Sequence, residues 1–197
     1  MRLGLFGGSF DPPHVGHLLV ASDAFEALEL DRIVFVPAGV QPLKVGRAVA
    51  SAEHRLAMVQ LLVGHDPRFV VDPIEINRPG LSFTVDTLAA FADRDSEAEM
   101  FLLVGADVPR AFARWREPER VMELATVVVL QRGGELETGD DEDPRAIDLM
   151  KRLRRLATRR VDISSTEIRQ RVRDGLSIRG FVPDAVAEFI AAKRLYC

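Results

Sequence analysis

The feature of this 197-residue chain that most constrains its fold is the alternation of short apolar runs with longer amphipathic stretches. Continuous runs rich in Val, Leu, Ile and Phe are typical of strands that are buried on both faces of a parallel sheet. Their alternation with helical patterns predicts an α/β fold with helices on both faces and right-handed crossovers. The predicted strands are residues 3–6, 33–36, 69–71, 100–104 and 126–130.

Between these strands, apolar residues recur at helical spacing. A first helix is predicted to begin near His14 or Val15, a second to follow Ser51, and a third to be centred on Leu88. The later part of the chain is predicted to hold an acidic surface loop at 133–144, a basic helix at about 145–157, a short strand near 160–163 and two terminal helices, the second with Pro183 in its first turn.

Composition narrows the classes of function. The net charge of −4 argues against a generic surface for nucleic acid or anionic membrane, so any anionic ligand must be held by local positive groups. The single cysteine, Cys197, excludes a disulfide or a cysteine-based zinc site within one chain. No apolar run resembles a membrane span, and the N-terminus lacks the pattern of a signal peptide. We expect a single cytoplasmic domain over residues 1–197.

The segment GGSFDPPHVGH, residues 7–17, directly follows the first predicted strand. Ligands bind at the carboxyl ends of the strands in α/β sheets, which makes this loop a favoured place for a site. Gly7 and Gly8 permit positive φ and close approach of a ligand, and successive N–H groups there can form an anion-binding concavity. His14 and His17 share one face of the first helical turn, where unpaired N–H groups favour anions. The segment therefore predicts a phosphate site.

Gly16 lies between the two histidines, and its presence in a helix indicates that something lies flat against the helix there. The glycine spacing matches neither G-x-G-x-x-G nor the Walker loop, so neither a standard dinucleotide site nor a P-loop is predicted. Taken singly, the glycines are weak evidence, and paired histidines are more often incidental or metal-binding than catalytic. A metal site is disfavoured because no third ligand is obvious nearby, although Asp11 is left open as one.

A second candidate phosphate site is DISSTEIR, residues 162–169. Its S-S-T-E is a capping box, in which Ser164 is the N-cap and Glu167 reaches back to it. The following residues present N–H groups and hydroxyls at a helix N-terminus. Arg169, one turn further on, can form charge-assisted bonds to phosphate. A purely structural cap is the alternative interpretation.

Together the two segments carry a resemblance to a known superfamily. GGSFDPPHVGH resembles the H-x-G-H signature of the nucleotidyltransferases that include adenylyl- and cytidylyltransferases, and ISSTEIR resembles their second signature, which holds the triphosphate. The resemblance implies a Rossmann-like, doubly wound parallel sheet with helices on both faces. A core at 1–160 is then followed by a small C-terminal helical subdomain at 161–197.

Further segments resemble the bacterial nicotinate mononucleotide adenylyltransferase family, and the resemblance then covers nearly the whole chain. These segments are VFVPAGVQPLK, EINRPGLSFTVDTL, FLLVGADVPRAFARW, VVVLQRGG and GLSIRGFVPDAVAEFI. The implied reaction transfers the adenylyl group of ATP to nicotinate mononucleotide and releases pyrophosphate. Two positions depart from the family pattern: Leu43 stands where a polar or aromatic residue is common, and Phe83 where Tyr is frequent.

The resemblance also implies roles for individual residues. The implied catalytic residues are His14, His17, Lys44 and Arg169. The implied ATP-binding residues are Gly7, Gly8, Ser9, Phe10, Gly16, Gly105, Asp107, Arg132, Ser164, Ser165 and Thr166. Nicotinate mononucleotide is expected to contact Ser82, Phe83, Thr84 and Trp115, with Thr84 and nearby N–H groups on the carboxylate and Trp115 stacked on the ring. No protein metal ligand is implied, and Mg²⁺ is expected to be carried by the ATP phosphates.

Several alternatives stay open at this point. A sister transferase acting on nicotinamide mononucleotide or phosphopantetheine would share the phosphate motifs, and a nucleotide sensor would keep the fold without turnover. Without the resemblance, Trp115 reads as a packing residue, Asp107 as a helix cap, and Arg78 and Arg132 as surface charges. We expect no nucleic-acid or membrane partner, and a homodimer is considered.

Overall fold

The computed structural model describes residues 1–40, 50–132 and 143–197. Its strands are β1 (Arg2–Gly8), β2 (Arg32–Pro37), β3 (Phe69–Val71), β4 (Glu99–Gly105), β5 (Thr126–Arg132) and β6 (Arg154–Thr158). Its helices are α1 (Val15–Ala27), α2 (Ala52–Val63), α3 (Ile74–Asn77), α4 (Thr84–Arg94), α5 (Pro109–Phe112), α6 (Pro118–Leu124), α7 (Pro144–Arg152), α8 (Ser165–Arg173) and α9 (Asp184–Ala192).

The strands pair in parallel, in the order β3-β2-β1-β4-β5-β6. The chain winds outward from β1 in one direction, then returns to its other side at β4 and continues in the opposite direction. This is the doubly wound Rossmann order, and its crevice lies where the winding reverses, at the carboxyl ends of β1 and β4. Gly8 pairs with Pro37, and Phe6 pairs with Leu103, which brings the ends of β1, β2 and β4 to one edge.

Alternate residues of the central strands enter two separate cores, one on each face of the sheet. In β2, Ile33 and Phe35 pack with α1, α2, α8 and α9, whereas Val34 and Val36 pack with α4 and α6. All four are nearly inaccessible to solvent. Because both faces of the sheet are covered, its strands are continuous apolar runs rather than alternating ones.

The five predicted strands and the three helices before residue 95 are confirmed. The strand predicted near 160–163 is wrong, because the last strand is Arg154–Thr158 and the basic helix ends earlier, at Arg152. The reason is that β6 is an edge strand: its two arginines are exposed, and only Thr158 is buried among its residues. An edge strand needs little apolar character, so its basic residues resemble a continuation of the preceding helix.

The terminal helices α8 and α9 are confirmed, and Pro183 is the N-cap of α9. Both helices pack on the same core as α1 and α2, through Ile168, Val186 and Ile190. The predicted acidic loop lies mostly outside the described residues, and α7 already begins at its last residue, Pro144. In the described ranges, no helix is both long and apolar enough to cross a membrane.

Candidate active site

In the loop after β1, the residue with a left-handed backbone is an aromatic one and not a glycine. Neither Gly7 nor Gly8 has a positive φ; the residue in the left-handed region is Phe10, at φ 49°. Its ring, 3% exposed, packs against Phe6 at 5.7 Å and Phe35 at 5.8 Å between centroids. This packing offsets a backbone strain of about 1–3 kcal/mol. A Cβ on Gly8 would lie 3.0 Å from the Phe10 ring, so the glycine makes room for that ring.

His14 is the N-cap of α1, and His17 lies in the first turn, as the sequence predicts. The backbone N–H of His14 donates to Nδ1 of His17 at 3.1 Å, and the ring centroids are 3.8 Å apart. Because Nδ1 of His17 accepts this bond, the neutral ring carries its proton on Nε2. His17 therefore offers an Nε2–H donor, held in a fixed orientation by its own helix terminus.

Gly16 is required by a neighbouring side chain. A Cβ at this position would lie 2.9 Å from Nδ1 of His14 and 3.2 Å from Cγ1 of Val161. The group predicted to lie flat against the helix is therefore the buried imidazole of His14, pressed between α1 and the segment that precedes α8. A larger residue at position 16 would displace that ring.

The second motif docks directly on the first loop. Ser164 is the N-cap of α8, and its Oγ accepts from the N–H of Glu167 at 3.1 Å. The Ser165 hydroxyl donates to the Pro12 carbonyl at 2.7 Å, and Nη1 of Arg169 donates to the Asp11 carbonyl at 2.7 Å. The two segments predicted to bind phosphate thus form one structure, although they lie at opposite ends of the chain.

Thr166 completes this contact, because Nη2 of Arg169 donates to its Oγ1 at 3.2 Å. Arg169 is half-buried and bridges the loop and the first turn of α8. Its guanidinium therefore has a fixed position at the rim of the loop. The N-termini of α1 and α8 lie beside it, and both favour an anion.

The remaining residues predicted to contact ATP lie at the ends of β4 and β5. Asp107 is exposed just beyond β4, and a Cβ on Gly105 would lie 2.7 Å from its Oδ1, so the glycine allows the carboxylate to turn back over the strand end. Asp107 does not cap the next helix, whose N-cap is Val108 with no side-chain bond. Arg132 ends β5, with a side chain outside the described atoms. Lys44 and Leu43 lie outside the described residues.

Ser82, Phe83 and Thr84 come together at the N-terminus of α4. Phe83 is the N-cap and Thr84 the first helical residue, so the backbone N–H groups of the first turn lie where the sequence predicts a carboxylate to bind. Ser82 is buried, and its N–H donates to the Val40 carbonyl at 2.8 Å. The segment is thereby attached to the chain that continues from β2.

A polar network beneath this helix terminus was not predicted. The Thr87 hydroxyl donates to Oε1 of Glu75 at 2.8 Å, and Nη2 of Arg78 donates to Oγ1 of Thr87 at 3.0 Å and to the Phe83 carbonyl at 3.4 Å. Burial raises the pKa of Glu75, against the opposing effects of Thr87, Arg78 and Ser82. Arg78 is therefore a structural cation under the N-terminus of α4, rather than a surface charge.

Trp115 and Phe83 lie on the same side of the sheet. Both are partly buried against the core that contains Phe112, whose ring centroid is 5.2 Å from that of Trp115. The guanidinium carbon of Arg116 lies 4.8 Å from the centroid of the Phe83 ring. The two segments predicted to contact the pyridine nucleotide are thus joined by one aromatic and cationic surface.

Sequence reasoning also missed Arg55, which is 2% exposed. It donates from Nη1 to the Ser9 carbonyl at 2.8 Å and from Nη2 to the Gly39 carbonyl at 3.2 Å. Burial lowers the pKa of Arg55, against the opposing attraction of Asp11. A signal was present: Arg55 falls on the apolar face of α2 with Met58, where a charge is unexpected.

None of the described residues form a group of three or more His, Cys, Asp or Glu side chains that could hold a metal ion. The described donors are imidazole, guanidinium, hydroxyl and backbone N–H groups. They suit an anionic ligand, and two such ligands brought together would need this concentration of donors.

Comparison with known proteins gives consistent results. The model of the cytidylyltransferase-like family matches residues 5–171. A Gemmatimonas aurantiaca protein named probable nicotinate-nucleotide adenylyltransferase is 54% identical over 200 residues, covering 100% of this chain and 92% of its own length. A Thermus thermophilus protein with the same name is 47% identical over 196 residues, covering 100% of both chains.

Solved structures agree on the fold. The nicotinic acid mononucleotide adenylyltransferase of Plasmodium falciparum, in complex with APC, superposes with a TM-score of 0.76 at 16% identity, over 99% of this chain and 96% of that one. The same Plasmodium protein in complex with NaAD superposes with a TM-score of 0.76, over 99% and 97%. At this identity the likeness concerns the fold alone.

Proposed function

This chain belongs to the cytidylyltransferase-like family, within the branch whose members are named nicotinate-nucleotide adenylyltransferases, and on that premise we propose how its residues transfer an adenylyl group from ATP to nicotinate mononucleotide. The chain is an enzyme of the nucleotidyltransferase class, and its reaction belongs to NAD biosynthesis. The products are nicotinate adenine dinucleotide and pyrophosphate.

The observation that carries the assignment of residues is the bond from the His14 N–H to Nδ1 of His17. In the neutral ring the proton is therefore on Nε2, and His17 lies in the first helical turn after β1, beside the crevice where this fold binds its ligands. We name residues 7–17 with 164–169 the phosphate end. We name residues 81–87 with 115–116 the pyridine end.

The reaction needs no strong base, because the attacking group is already a phosphate oxygen. That oxygen forms a bond to the α-phosphorus of ATP while the bond to the α–β bridging oxygen breaks, and pyrophosphate leaves with the electron pair. No covalent intermediate with the protein forms. The protein's task is to position two anions that repel each other and to stabilise the charge that develops on the leaving group.

The proposed roles at the phosphate end follow from this task. His17, through Nε2–H, and His14 donate to the α-phosphate and the bridging oxygen. Arg169 and Lys44 stabilise the leaving pyrophosphate. Gly105 and Asp107 bind the ribose of ATP, and Arg132 packs near the adenine. The remaining residues predicted to contact ATP are Gly7, Gly8, Ser9, Phe10, Gly16, Ser164, Ser165 and Thr166. The nucleotide binds as its Mg²⁺ complex, with the ion carried by phosphates and water.

At the pyridine end, the proposed carboxylate site is the N-terminus of α4. The N–H groups that follow Phe83, with the Thr84 hydroxyl, bind the nicotinate carboxylate, and Ser82 fixes the segment from below. Trp115 stacks on the ring. Arg116 lies beside Phe83 and is itself paired with Asp86 and Glu117, so the N-terminus of α4 carries the preference. A carboxylate gains more from a helix N-terminus than a neutral amide does, which favours the acid over the amide as substrate.

The direct experiment measures pyrophosphate release from ATP and Mg²⁺ with three acceptors in parallel: nicotinate mononucleotide, nicotinamide mononucleotide and phosphopantetheine. We expect strong release with the nicotinate form. Release with only another acceptor would retain the phosphate end and overturn the carboxylate site. If none of the three acceptors supports release, the proposed activity is wrong and the chain is better described as a nucleotide sensor. Calorimetry with ATP would then measure its binding of the nucleotide.

Three wider expectations belong to the same proposal. We propose a cytoplasmic location because the reaction consumes ATP, and no nucleic-acid partner because the net charge is −4. The homodimer considered from the sequence stays a prediction, and light scattering at several protein concentrations tests it.

A further inference from the structure

The last but one residue of the chain reaches the loop that carries the histidines. The hydroxyl of Tyr196 donates to Oδ1 of Asp11 at 2.7 Å, across 185 residues of sequence. Both residues are buried, at 6% and 5% exposure. The same carboxylate oxygen accepts the N–H of Ala50, just before α2, at 3.2 Å.

The backbone of Tyr196 is unusual for an aromatic residue. Its φ is 68°, in the left-handed region that side chains of this size rarely adopt, and Arg194 is there too, at φ 49°. A strained conformation persists where surrounding contacts enforce it, and such residues cluster at functional sites. In this conformation the phenol points inward, to the carboxylate of Asp11 rather than to solvent.

Asp11 is a junction between the chain terminus and the phosphate end. Its carboxylate meets Tyr196, its charge attracts the buried Arg55, and its own carbonyl accepts from Arg169. Arg55 in turn holds the Ser9 carbonyl. A shift of Asp11 would therefore move both the loop backbone before His14 and the guanidinium of Arg169.

We propose that Tyr196 is a positioning residue for adenylyl transfer: through Asp11, its hydroxyl fixes the loop that places the two histidines and Arg169 on the phosphates. The inference rests on the proposed function. Tyr196 is not a catalytic residue, because a buried phenol bonded to Asp11 has no route to the reacting atoms. Burial and the bond to Asp11 both raise its pKa, so the hydroxyl remains a donor throughout the range of an activity assay.

The test is Tyr196→Phe, which keeps the ring in the core and removes only the hydroxyl. We expect kcat to fall about tenfold while KM for both substrates stays unchanged, as for a contact that matters in the transition state. The matched control is Leu195→Ala, which removes apolar contacts from the same segment and leaves the Tyr196 hydroxyl in place. Leu195→Ala should lower Tm at least as much as Tyr196→Phe does, and its kcat should stay within about twofold of the wild-type value.

Unchanged kcat in Tyr196→Phe, measured well below its Tm, would overturn the proposal. A kcat loss of the same size in Leu195→Ala would overturn it too, because simple destabilisation would then explain both variants. A cycle with Asp11→Asn tests the route. The two kcat losses should not add if Tyr196 acts through Asp11, whereas additive losses would contradict that route.

A second measurement does not depend on turnover. Tyr196 is the single tyrosine of the chain, so tyrosine labelled with ¹³C at Cζ alone gives one nuclear magnetic resonance signal that belongs to it. Saturating ATP with Mg²⁺ should shift this signal, and the control Leu195→Ala should retain the shift. A signal that does not move at saturation overturns the inference. Wild-type protein that releases no pyrophosphate with any acceptor instead overturns the proposed function, and the two failures are distinguishable.

Discussion

Three carbonyls in the loop after β1 are each held by a side chain from elsewhere. At the pyridine end a polar network holds the N-terminus of α4 from below, whereas the surface proposed to meet the ring consists of partly buried aromatic residues and exposed charges. The carbonyls of Ser9, Asp11 and Pro12 accept from residues of α2 and α8. At the other end, Arg116 is exposed and its Nη1 lies 3.5 Å from a carboxylate oxygen of Asp86. The backbone of the phosphate end is therefore held at three points by hydrogen bonds, whereas the side chains proposed to meet the pyridine ring are held mainly by packing.

This difference matches what each end has to do. Charge develops at the phosphates during the reaction, and fixed donors stabilise it without reorganisation. The pyridine ring does not react, so contacts to it contribute equally to the ground state and the transition state. We therefore expect substitutions at the phosphate end to lower kcat, and those at the pyridine end to raise KM.

The largest expected effect is that of His17→Ala. It removes the oriented Nε2–H donor, and loss of such a group lowers kcat by about 100-fold or more, with little change in KM. Steady-state pyrophosphate release measures both constants. The control is His65→Ala, an exposed histidine outside the site, which should keep wild-type kcat. A normal kcat in His17→Ala would show that this residue has no role in the chemical step. It would also contradict the expectation that substitutions at the phosphate end lower kcat.

Arg169→Ala comes next in size. The guanidinium holds the Asp11 carbonyl and faces the site, and a hydrogen bond with one charged partner contributes about 1.5–3 kcal/mol, or about 10- to 150-fold in kcat/KM. The matched control is Arg173→Ala in the last turn of the same helix, exposed and bonded only to Gln170 among the described side chains. An equal loss of kcat/KM in both variants would show that the total positive charge of α8 matters, and not the position of Arg169.

Trp115→Ala tests the other end. Loss of the stacking surface should raise KM for nicotinate mononucleotide about tenfold, as expected for an aromatic pair, while kcat and KM for ATP change little. Trp115→Phe keeps an aromatic face and should restore most of the affinity. A selective rise in KM for ATP would place the indole at the wrong substrate, and a fall in kcat alone would erase the distinction between the ends.

How far the sequence predicts this architecture depends on the range of the interactions. The loop after β1 and the cap of α8 were predictable, because histidine spacing and capping chemistry are local signals. The role of Gly16 was only half predictable: the sequence indicates a close neighbour, but the imidazole of His14 is identified by the fold.

Long-range contacts were not predictable from local patterns. Arg169 meets the Asp11 carbonyl across 158 residues, and no periodicity connects those positions. Likewise, Glu75 and Thr87 are recognisable as partners only once α3 and α4 are packed together. The edge strand β6 was not predictable from its arginines, because edge strands accept the same polar residues as an exposed helix.

The smallest expected effect concerns Glu75, under the pyridine end. Burial raises its pKa in the folded state, so its contribution to stability is fully present below the unfolded pKa and is lost as pH rises through the folded pKa. Glu75→Gln keeps the acceptor for Thr87 without the charge. At pH 7 its Tm should therefore be higher than that of the wild type, by about 2–4 °C for each kcal/mol relieved in a chain of this length.

The advantage of Glu75→Gln should shrink as the pH is lowered towards the ordinary range of a glutamate, since both proteins are then uncharged at this position. Calorimetric Tm values from pH 4 to pH 8 measure the trend, with Glu97→Gln as an exposed control that should show no such trend. If the Tm of the wild type instead rises relative to that of Glu75→Gln as the pH increases, Arg78 stabilises the Glu75 carboxylate more than burial destabilises it. The pyridine end would then be held by a buried ion pair, and its contrast with the phosphate end would weaken.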